Sequence, residues 1–251
     1  MEEYKDYLPQ SIEGKTILIT GGTTGIGRAA AVLLAKLGAR VMVFGRYEKE
    51  LQDALKDIRK EAQHEVYGFT ADLALEENIN RVFEEADKEF EKLDVLINNA
   101  AIGYGSVTDG TYKDWEYVVK TNLVGYMACT HEAVKRMKVQ GEGHIINIGS
   151  LSAERREEGS SVYVATKSGI RGLSASLRKQ VNPLGVKVSL IEPGAVDTDM
   201  QKKSTEEKQE KVQSLEMLTA NDIAMSILYT LSQPKRCDII ELKIRPHLQK
   251  I

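Results

Sequence analysis

The stretch SSVYVATKSG, residues 160–169, places a tyrosine and a lysine four positions apart among small side chains. On a helix, this spacing brings Tyr163 and Lys167 onto one face. A phenol alone is a poor proton acceptor, because it titrates near pH ~10. A nearby ammonium stabilises the phenolate where water is partly excluded. The pair therefore indicates proton exchange with a substrate oxygen, and the alternative is a structural pair on a half-exposed helix.

Two further polar residues stand where such chemistry needs them. Ser150 follows the apolar run HIINIG (144–149), and a hydroxyl there can hold a substrate oxygen beside the phenol. Asn122, in VVKTNLVG, falls inside a predicted long helix, where asparagine is unfavourable unless its amide makes hydrogen bonds. The structural alternatives are a turn residue for Ser150 and a buried hydrogen bond for Asn122.

A glycine-rich turn follows the first apolar run in TILITGGTTGIGRAAAVLLAKLG. Gly21, Gly25 and Gly27 permit a tight turn and let the backbone approach a pyrophosphate closely. The helix that begins near Ile26 directs free N–H groups and its positive dipole end at such an anion. A turn of this kind between a strand and a helix predicts dinucleotide binding rather than a purely structural loop.

The second strand ends in FGRYEKE, about 20 residues after the glycine turn. A protein that prefers NAD usually presents a carboxylate here, whereas this chain has Gly45 and Arg46. A guanidinium can bind a 2′-phosphate with two hydrogen bonds and stack on adenine. Arg46 therefore favours NADP(H) and leaves NAD(H) as the alternative. Thr24, in the turn itself, adds no positive charge to that preference.

Short β-branched runs alternate with helical patterns along the chain. The runs predict strands at 16–20, 40–44, 65–69, 94–98, 144–149, 186–191 and 239–244. The helical patterns cover about 26–37, 48–62, 77–92, 112–139, 162–181 and 220–232. This alternation predicts an α/β fold, a doubly wound parallel sheet of about seven strands with helices on both faces. Without a repeat or linker, we expect one domain over 15–251 after an N-terminal extension, 1–14.

Residues 197–219, DTDMQKKSTEEKQEKVQSLEMLT, do not continue this alternation of strands and helices, and they are called the lid segment below. The stretch is charged, lacks a strand pattern and is long for a connection in a compact domain. It predicts a substrate lid, a flexible loop or a short surface helix, and a solvated insertion is the alternative.

Composition excludes several classes of function. The 251-residue chain has a formal net charge of −3, so it lacks the basic excess of nucleic-acid-binding proteins. Two cysteines and four histidines argue against a disulfide scaffold and a metal site and fit a reducing compartment. No apolar run suits a signal peptide or approaches the ~20 residues of a membrane span. We expect a soluble cytoplasmic protein with no membrane partner.

In this order along the chain, TGGTTGIG, Asp72 in ADL, NNAA (98–101), Asn122, Ser150, YVATK and PGAVDT resemble the short-chain dehydrogenase/reductase family. The resemblance covers about Lys15 to Gln249 and implies a Rossmann fold. The chain departs from the family's pattern at Ala101, where glycine is usual. That methyl group puts close backbone approach to the cofactor in doubt.

The resemblance implies a catalytic tetrad: Asn122, Ser150, Tyr163 and Lys167. Tyr163 would be the acid/base and Ser150 the clamp on the substrate oxygen. Lys167 would lower the proton affinity of the phenol and hold the nicotinamide ribose, while Asn122 would support a water in a proton relay. Asp72 and Leu73 would contact adenine, and Asn98 would lie along the cofactor. The full predicted set of cofactor contacts is Gly21, Thr23, Thr24, Gly25, Ile26, Gly27, Arg46, Asp72, Leu73, Asn98, Ala100, Tyr163, Lys167, Pro193, Gly194, Val196 and Thr198.

Within the family, HIINIGS, IEPGAVDTDM, LTANDIAMSILYTLSQP and IIELKIRPHLQ are similar to NADP-dependent 3-hydroxy acid and serine dehydrogenase-like reductases. Arg155 and Arg156 could receive a substrate carboxylate, although the mixed charge of LSAERREEGSSV favours a solvated loop. The predicted function is NADP(H)-dependent interconversion of a small-molecule carbonyl and a secondary alcohol. The alternatives are a 3-oxoacyl-[acyl-carrier-protein] reductase and a catalytically silent NADP(H)-binding sensor or scaffold. Family members commonly form a homodimer or homotetramer through helices that correspond to about 112–139 and 162–181.

Overall fold

The computed structural model describes residues 8–201 and 203–249. Residues 1–7 of the predicted N-terminal extension and residues 250–251 of the predicted domain lie outside that range. The described part of the extension contacts the domain: Gln10 N donates to Ser232 O (2.7 Å), and Ile12 is buried in the apolar core. No helix in the described ranges is long and apolar enough to span a membrane.

Among the described residues, seven parallel strands form a single sheet at the centre of the fold. The strands are β1 (Thr16–Thr20), β2 (Arg40–Gly45), β3 (Val66–Thr70), β4 (Val95–Asn98), β5 (Gly143–Ile148), β6 (Val186–Pro193) and β7 (Glu241–Ile244). Their order in the sheet is β3-β2-β1-β4-β5-β6-β7. The doubly wound α/β fold and the number of strands are therefore confirmed. Nearly continuous apolar runs such as TILIT form central strands because both faces of this sheet are covered.

Helices cover both faces of the sheet and bury two large apolar clusters. The helices are α1 (Gly25–Lys36), α2 (Glu48–Glu61), α3 (Glu76–Glu89), α4 (Tyr112–Val119), α5 (Gly125–Gln140), α6 (Ser152–Arg155), α7 (Ser161–Val181), α8 (Thr205–Gln213) and α9 (Ala220–Leu231). The first cluster joins residues of α1, α2 and α9 to one face of the sheet, and the second joins residues of α3 and α5 to the other face.

The predicted helix at 112–139 is not uniform. A π-helical turn, Lys120–Val124, joins α4 to α5. Such turns occur within helices and are frequent at functional sites. Asn122 lies in this turn, and Gly125 follows it with Leu73 in close contact, because a Cβ at Gly125 would be 3.1 Å from Leu73 Cδ2. The helical pattern of the sequence predicted one continuous helix here and gave no sign of the π-helical turn.

The lid segment forms an ordered excursion from the end of β6. Its two ends meet, because Asp197 N donates to Leu218 O (2.8 Å) and Leu218 N donates to Ala195 O (2.9 Å). Helix α8 lies within it and begins with a capping box at Ser204. The predicted short surface helix is therefore present in this segment, and a role as substrate lid stays a prediction.

Candidate active site

Helix α7 carries Tyr163 and Lys167 on one face close to its N-terminus. Lys167 Nζ lies 5.7 Å from the centroid of the Tyr163 ring and 5.6 Å from that of Tyr126. The same amine donates to Ile148 O at 2.9 Å, and the lysine is only 2% exposed. The main chain of β5 and two aromatic rings therefore fix the ammonium beside the phenol, as the spacing predicted.

Burial shifts both groups away from their ordinary titration range. It raises the pKa of Tyr163 to about 12, although a hydrogen bond from Ser150 acts in the opposite direction. Burial also lowers the pKa of Lys167 to about 8, and the carboxylate of Glu192 opposes this change. The sequence predicted a lysine-assisted phenol near neutrality. In this structure desolvation outweighs the other influences, so the phenol keeps its proton at neutral pH.

Ser150 lies where β5 leaves the sheet, and its side chain is near enough to Tyr163 to lower the pKa of the phenol against the effect of burial. The hydroxyl also accepts from Ser152 N (3.1 Å) at the start of α6. The next residue, Leu151, donates its N–H to Pro193 O (2.9 Å), which joins this loop to the end of β6. Ser150 is thereby held beside Tyr163, in the position that a clamp for the substrate oxygen requires.

Asn122 is fully buried in the π-helical turn and forms two hydrogen bonds with the main chain of the loop after β4. Its Oδ1 accepts from Ile102 N and its Nδ2 donates to Ile102 O, both at 2.8 Å. A longer contact of 3.4 Å joins Nδ2 to Thr166 Oγ1 on α7. The amide therefore ties the loop to α7, and its support of a water in a proton relay stays a prediction.

The glycine turn between β1 and α1 fits a pyrophosphate. Gly21 (φ 62°) and Gly25 (φ 51°) adopt left-handed conformations that favour glycine. A Cβ at Gly27 would collide with Gly21 O, so the helix packs directly onto the turn. Thr24 is the N-cap of α1, yet its side chain makes no capping hydrogen bond. The first amides of α1, around Ile26, are therefore free of a side-chain cap and can bind an anion.

Arg46 belongs to a polar chain at the end of β2. Its Nη1 donates to Tyr117 Oη (2.8 Å), and that hydroxyl donates to Asp72 Oδ2 (2.8 Å). The guanidinium also lies 5.0 Å from the ring centroid of Tyr47. Thr23 fills the space beside Gly45, where a Cβ would collide with its side chain. Arg46 and Asp72 thus meet at one edge of the site, while Tyr117, which joins them, had no sequence signal.

Two predicted cofactor contacts have side chains that point into the protein. Asn98 is fully buried, and its Nδ2 donates to Thr130 Oγ1 (3.0 Å) and Asn147 Oδ1 (2.9 Å). The side chain links β4 to its neighbours inside the protein, so the contact of Asn98 with a cofactor stays a prediction that falls to its main chain. Leu73 is 5% exposed and belongs to the apolar cluster on the α3 side, so only its backbone can face adenine.

Asn99, the residue after β4, ties the end of that strand to the glycine turn. Its Nδ2 donates to Thr20 O (3.0 Å) and to Gly21 O (2.9 Å). Ala100 lies against Gly21, where a Cβ would be 2.7 Å from Ala100 Cα. The close approach therefore falls at Ala100, and the half-buried Ala101 is not among the nearest neighbours of the turn glycines. The two adjacent asparagines, Asn98 and Asn99, were the sequence feature that could have indicated this role of Asn99.

The segment after β6 reaches back across the glycine turn. A Cβ at Gly25 would lie 3.1 Å from Thr198 Cγ2, so Thr198 covers the turn. Pro193 ends β6, and Gly194 follows it with its N–H donated to Ile244 O (2.8 Å). Val196 is buried and bridges to Leu218 at the base of the lid segment.

The two candidate arginines differ in their surroundings. Arg156 is exposed with a left-handed backbone (φ 55°). Arg155 lines a cavity of about 420 Å³ together with residues of the lid segment and the C-terminal segment. The other lining residues are Ala195, Gln201, Lys203, Lys211, Glu216, Met217, Leu248 and Gln249. In the described ranges, no group of three or more His, Cys, Asp or Glu side chains is arranged to hold a metal ion.

Comparison with known families gives the same assignment as the site. Residues 15–209 match the family model described as short chain dehydrogenase. The chain belongs to the short-chain dehydrogenase family. Among curated members, an uncharacterized oxidoreductase of Staphylococcus aureus strain MRSA252 is 33% identical over 233 residues, which are 92% of this chain and 97% of that protein. One of Staphylococcus saprophyticus is 30% identical over 236 residues, 94% of this chain and 98% of that protein.

Solved short-chain dehydrogenases have the same fold. A single-residue variant of actinorhodin polyketide ketoreductase with NADPH has a TM-score of 0.84 at 28% identity, covering 95% of this chain and 98% of its own. A short chain dehydrogenase from Burkholderia cenocepacia J2315 in complex with NADP has a TM-score of 0.84 at 26% identity, covering 94% of this chain and 98% of its own. Both family and fold therefore agree with the resemblance in the sequence.

Proposed function

We propose that this short-chain dehydrogenase is an NADP(H)-dependent oxidoreductase (EC 1.1.1.-) that interconverts a carbonyl and a secondary alcohol. The observation that carries the proposal is the placement of a buried ammonium, Lys167, against the ring of Tyr163, whose pKa the side chain of Ser150 lowers against the effect of burial. These groups stand at the carboxyl edge of a parallel sheet whose first turn fits a pyrophosphate. Related structures that hold NADPH or NADP support the choice of cofactor.

Each residue has a distinct task in carbonyl reduction. When bound, NADPH supplies a hydride to the carbonyl carbon. Ser150 holds the carbonyl oxygen beside the phenol, and Tyr163 Oη gives its proton to that oxygen as negative charge develops there. Lys167 then stabilises the phenolate that remains, because its ammonium lies against the ring. Asn122 keeps the loop after β4 in place through Ile102.

The titration behaviour of the site favours reduction at neutral pH. The pKa of Tyr163, raised to about 12 by burial, keeps the phenol protonated and able to act as an acid. The pKa of Lys167, lowered to about 8 by burial, leaves the ammonium mostly charged at pH 7. Oxidation of the alcohol needs the deprotonated phenol, so its rate rises with pH over the range where reduction declines.

Arg46 is expected to select the cofactor. Because its guanidinium would bind a 2′-phosphate through charge-assisted hydrogen bonds, Arg46→Ala should lower kcat/KM with NADPH by about 10–100-fold and change it little with NADH. Steady-state rates with both cofactors measure this. Lys49→Ala removes a neighbouring exposed cation that pairs with Asp53 and serves as the matched control. An equal loss with both cofactors would remove the proposed role of Arg46.

The substrate is proposed to be a free small molecule, and the resemblance to 3-hydroxy acid and serine dehydrogenase-like reductases suggests carboxylate-bearing carbonyls for the first panel. An acyl-carrier-protein substrate is the alternative, and it would favour a basic docking face on the lid segment. Both lysines of α8 are already paired, Lys208 with Asp197 (2.9 Å) and Lys211 with Glu216 (2.8 Å). Oxidation of NADPH with a carbonyl panel tests the proposal, and tight NADPH binding without turnover would favour the silent sensor or scaffold.

We also propose that the enzyme is a homodimer or homotetramer. Helix α5 and the turn before it present apolar side chains to solvent, and Val124 and Met127 are 48% and 44% exposed. Val119, at the end of α4, extends this surface. A second copy would cover these side chains.

A further inference from the structure

Glu192, near the end of β6, is a buried carboxylate to which the mechanism above gives no task. It is 0% exposed, and neither oxygen accepts a hydrogen bond from the residues that the structure describes. Among those residues, the cation in contact with it is Arg171, whose Nη2 lies 3.0 Å from Oε2. A buried charge is costly unless it is paired, so a carboxylate retained here needs a compensating interaction.

The sheet places this carboxylate next to the anchor of the catalytic lysine. Ile148 and Ile191 are partners in the β5–β6 ladder, and Lys167 Nζ donates to Ile148 O at 2.9 Å. Glu192 is the next residue after Ile191. Its side chain lies against Gly149, because a Cβ there would be 3.0 Å from Glu192 Cγ and 3.4 Å from Oε1.

Helix α7 presents the complementary groups. Tyr163, Lys167 and Arg171 follow one another at intervals of four residues, so they form a single stripe along the helix. Arg171 contacts the Glu192 carboxylate, and Lys167, one turn earlier on the same stripe, contacts the neighbouring strand β5. The charge of Glu192 raises the pKa of Lys167 and so opposes the effect of burial.

Arg171 is fixed from the outside by exposed groups. Its Nη2 lies 3.0 Å from Glu154 Oε2 on α6 and 3.1 Å from Glu241 Oε1 on β7. Lys243, also on β7, contacts both of these carboxylates. The charged groups around Glu192 are therefore Lys167 and Arg171 on α7, Glu154 on α6, and Glu241 and Lys243 on β7.

We propose that Glu192 is a positioning residue for the reaction proposed above: its buried carboxylate, held by Arg171, is the counter-charge that keeps Lys167 in its charged form. Burial raises the pKa of Glu192, and the nearby carboxylates Glu241 and Glu154 add to this effect, whereas Arg171 and Lys243 lower the pKa and so favour the ionised carboxylate. Because the charged lysine stabilises the phenolate of Tyr163, the pair Glu192–Arg171 determines the pH above which carbonyl reduction declines.

Glu192→Gln keeps the shape of the side chain and removes its charge. The pH above which kcat for carbonyl reduction declines should fall by about one unit, as expected for the loss of one nearby opposite charge. The ratio of wild-type to variant kcat should therefore grow by about tenfold between pH 6 and pH 9. Arg171→Gln should shift the pH of this decline in the same direction, because Glu192 without its guanidinium takes up a proton.

A second readout does not depend on turnover. NMR spectra of protein labelled with ¹³C at lysine Cε identify the Lys167 resonance as the one that is missing from Lys167→Met. The chemical shift of this resonance, followed against pH, gives the pKa of Lys167. We expect about 8 in the wild type. A lower value is expected in Glu192→Gln, and thermal unfolding of the variant confirms that it folds.

Glu241→Gln and Glu154→Gln are the matched controls, because these exposed carboxylates share Arg171 but lie outside the buried pocket. Both should keep the wild-type titration of Lys167. An unchanged Lys167 titration in folded Glu192→Gln would overturn the inference even if the enzyme reduces carbonyls. A lowered titration in a protein without turnover would support the inference and count against the proposed function alone.

Discussion

Tyr163→Phe is expected to lower kcat for carbonyl reduction by about 10²–10⁴-fold, the usual contribution of a positioned general acid. The substitution removes only the hydroxyl, whose pKa is influenced by Ser150, and leaves the ring that packs against Lys167. Single-turnover rates of NADPH oxidation measure the loss at the chemical step. Thermal unfolding should show little change, because the retained ring keeps the packing of α7.

Tyr126→Phe is the matched control for this experiment. Its ring also contacts Lys167, but its hydroxyl is fully buried and donates to Ile148 O (3.3 Å). Removing that hydroxyl should therefore cost far less turnover than removing that of Tyr163. Full turnover in purified Tyr163→Phe would rule out the phenol as the acid.

Lys167→Met is expected to abolish most activity and to stabilise the fold. Activity should fall by about 100-fold or more, because the phenolate loses its only adjacent ammonium among the described residues. Stability should rise, because burial lowers the pKa of Lys167 from 10.5 to about 8, a cost of about 3 kcal/mol for holding the charged lysine in the fold at pH 7. Tyr126 Oη still donates to Ile148 O, so that carbonyl keeps a partner.

The pH dependence of this stabilisation has a definite sign. The cost of the buried ammonium is complete below pH 8 and disappears above the unfolded value of 10.5, where both states are neutral. The gain in unfolding temperature of Lys167→Met should therefore be several degrees at pH 7 and shrink as the pH approaches 10.5. A variant that is less stable than the wild type at pH 7 would show that the lysine stabilises the fold.

The repeating features of the fold could be predicted from local patterns. Each predicted strand overlaps an observed one within about two residues. The central strands β1, β2, β4, β5 and β6 could be predicted because buried parallel strands consist of nearly continuous apolar runs. The strand–turn–helix context of Gly21, Gly25 and Gly27 likewise located the turn that fits a pyrophosphate, and the positive φ of Gly21 and Gly25 explains why glycine stands there.

The remaining differences arise from contacts between distant segments. Asn98 and Asn99 are identical side chains in adjacent positions, and only the pleat of β4 directs the first inward and the second to Thr20 and Gly21. The π-helical turn at Asn122 depends on Ile102, which is twenty residues away. Neither the different directions of the two asparagines nor the π-helical turn could be predicted from a local sequence pattern.

The charged side chains of the site show the same limit. Arg46 could be selected from its position after β2, but its link to Asp72 through Tyr117 requires α4 to pack beside the sheet. Glu192 reads in the sequence as one residue of IEPG, and only the fold reveals that its carboxylate is buried beside Arg171.

Hydride transfer to a carbonyl carbon with a proton from Tyr163 is the reaction that we propose for this enzyme. NADPH deuterated at the transferable position, incubated with an accepted carbonyl substrate, tests this reaction most directly. We expect one deuterium on the carbinol carbon of the product, a single product configuration, and loss of this labelling in Tyr163→Phe. Product without deuterium on that carbon, or the same rate of labelling in Tyr163→Phe, would contradict it.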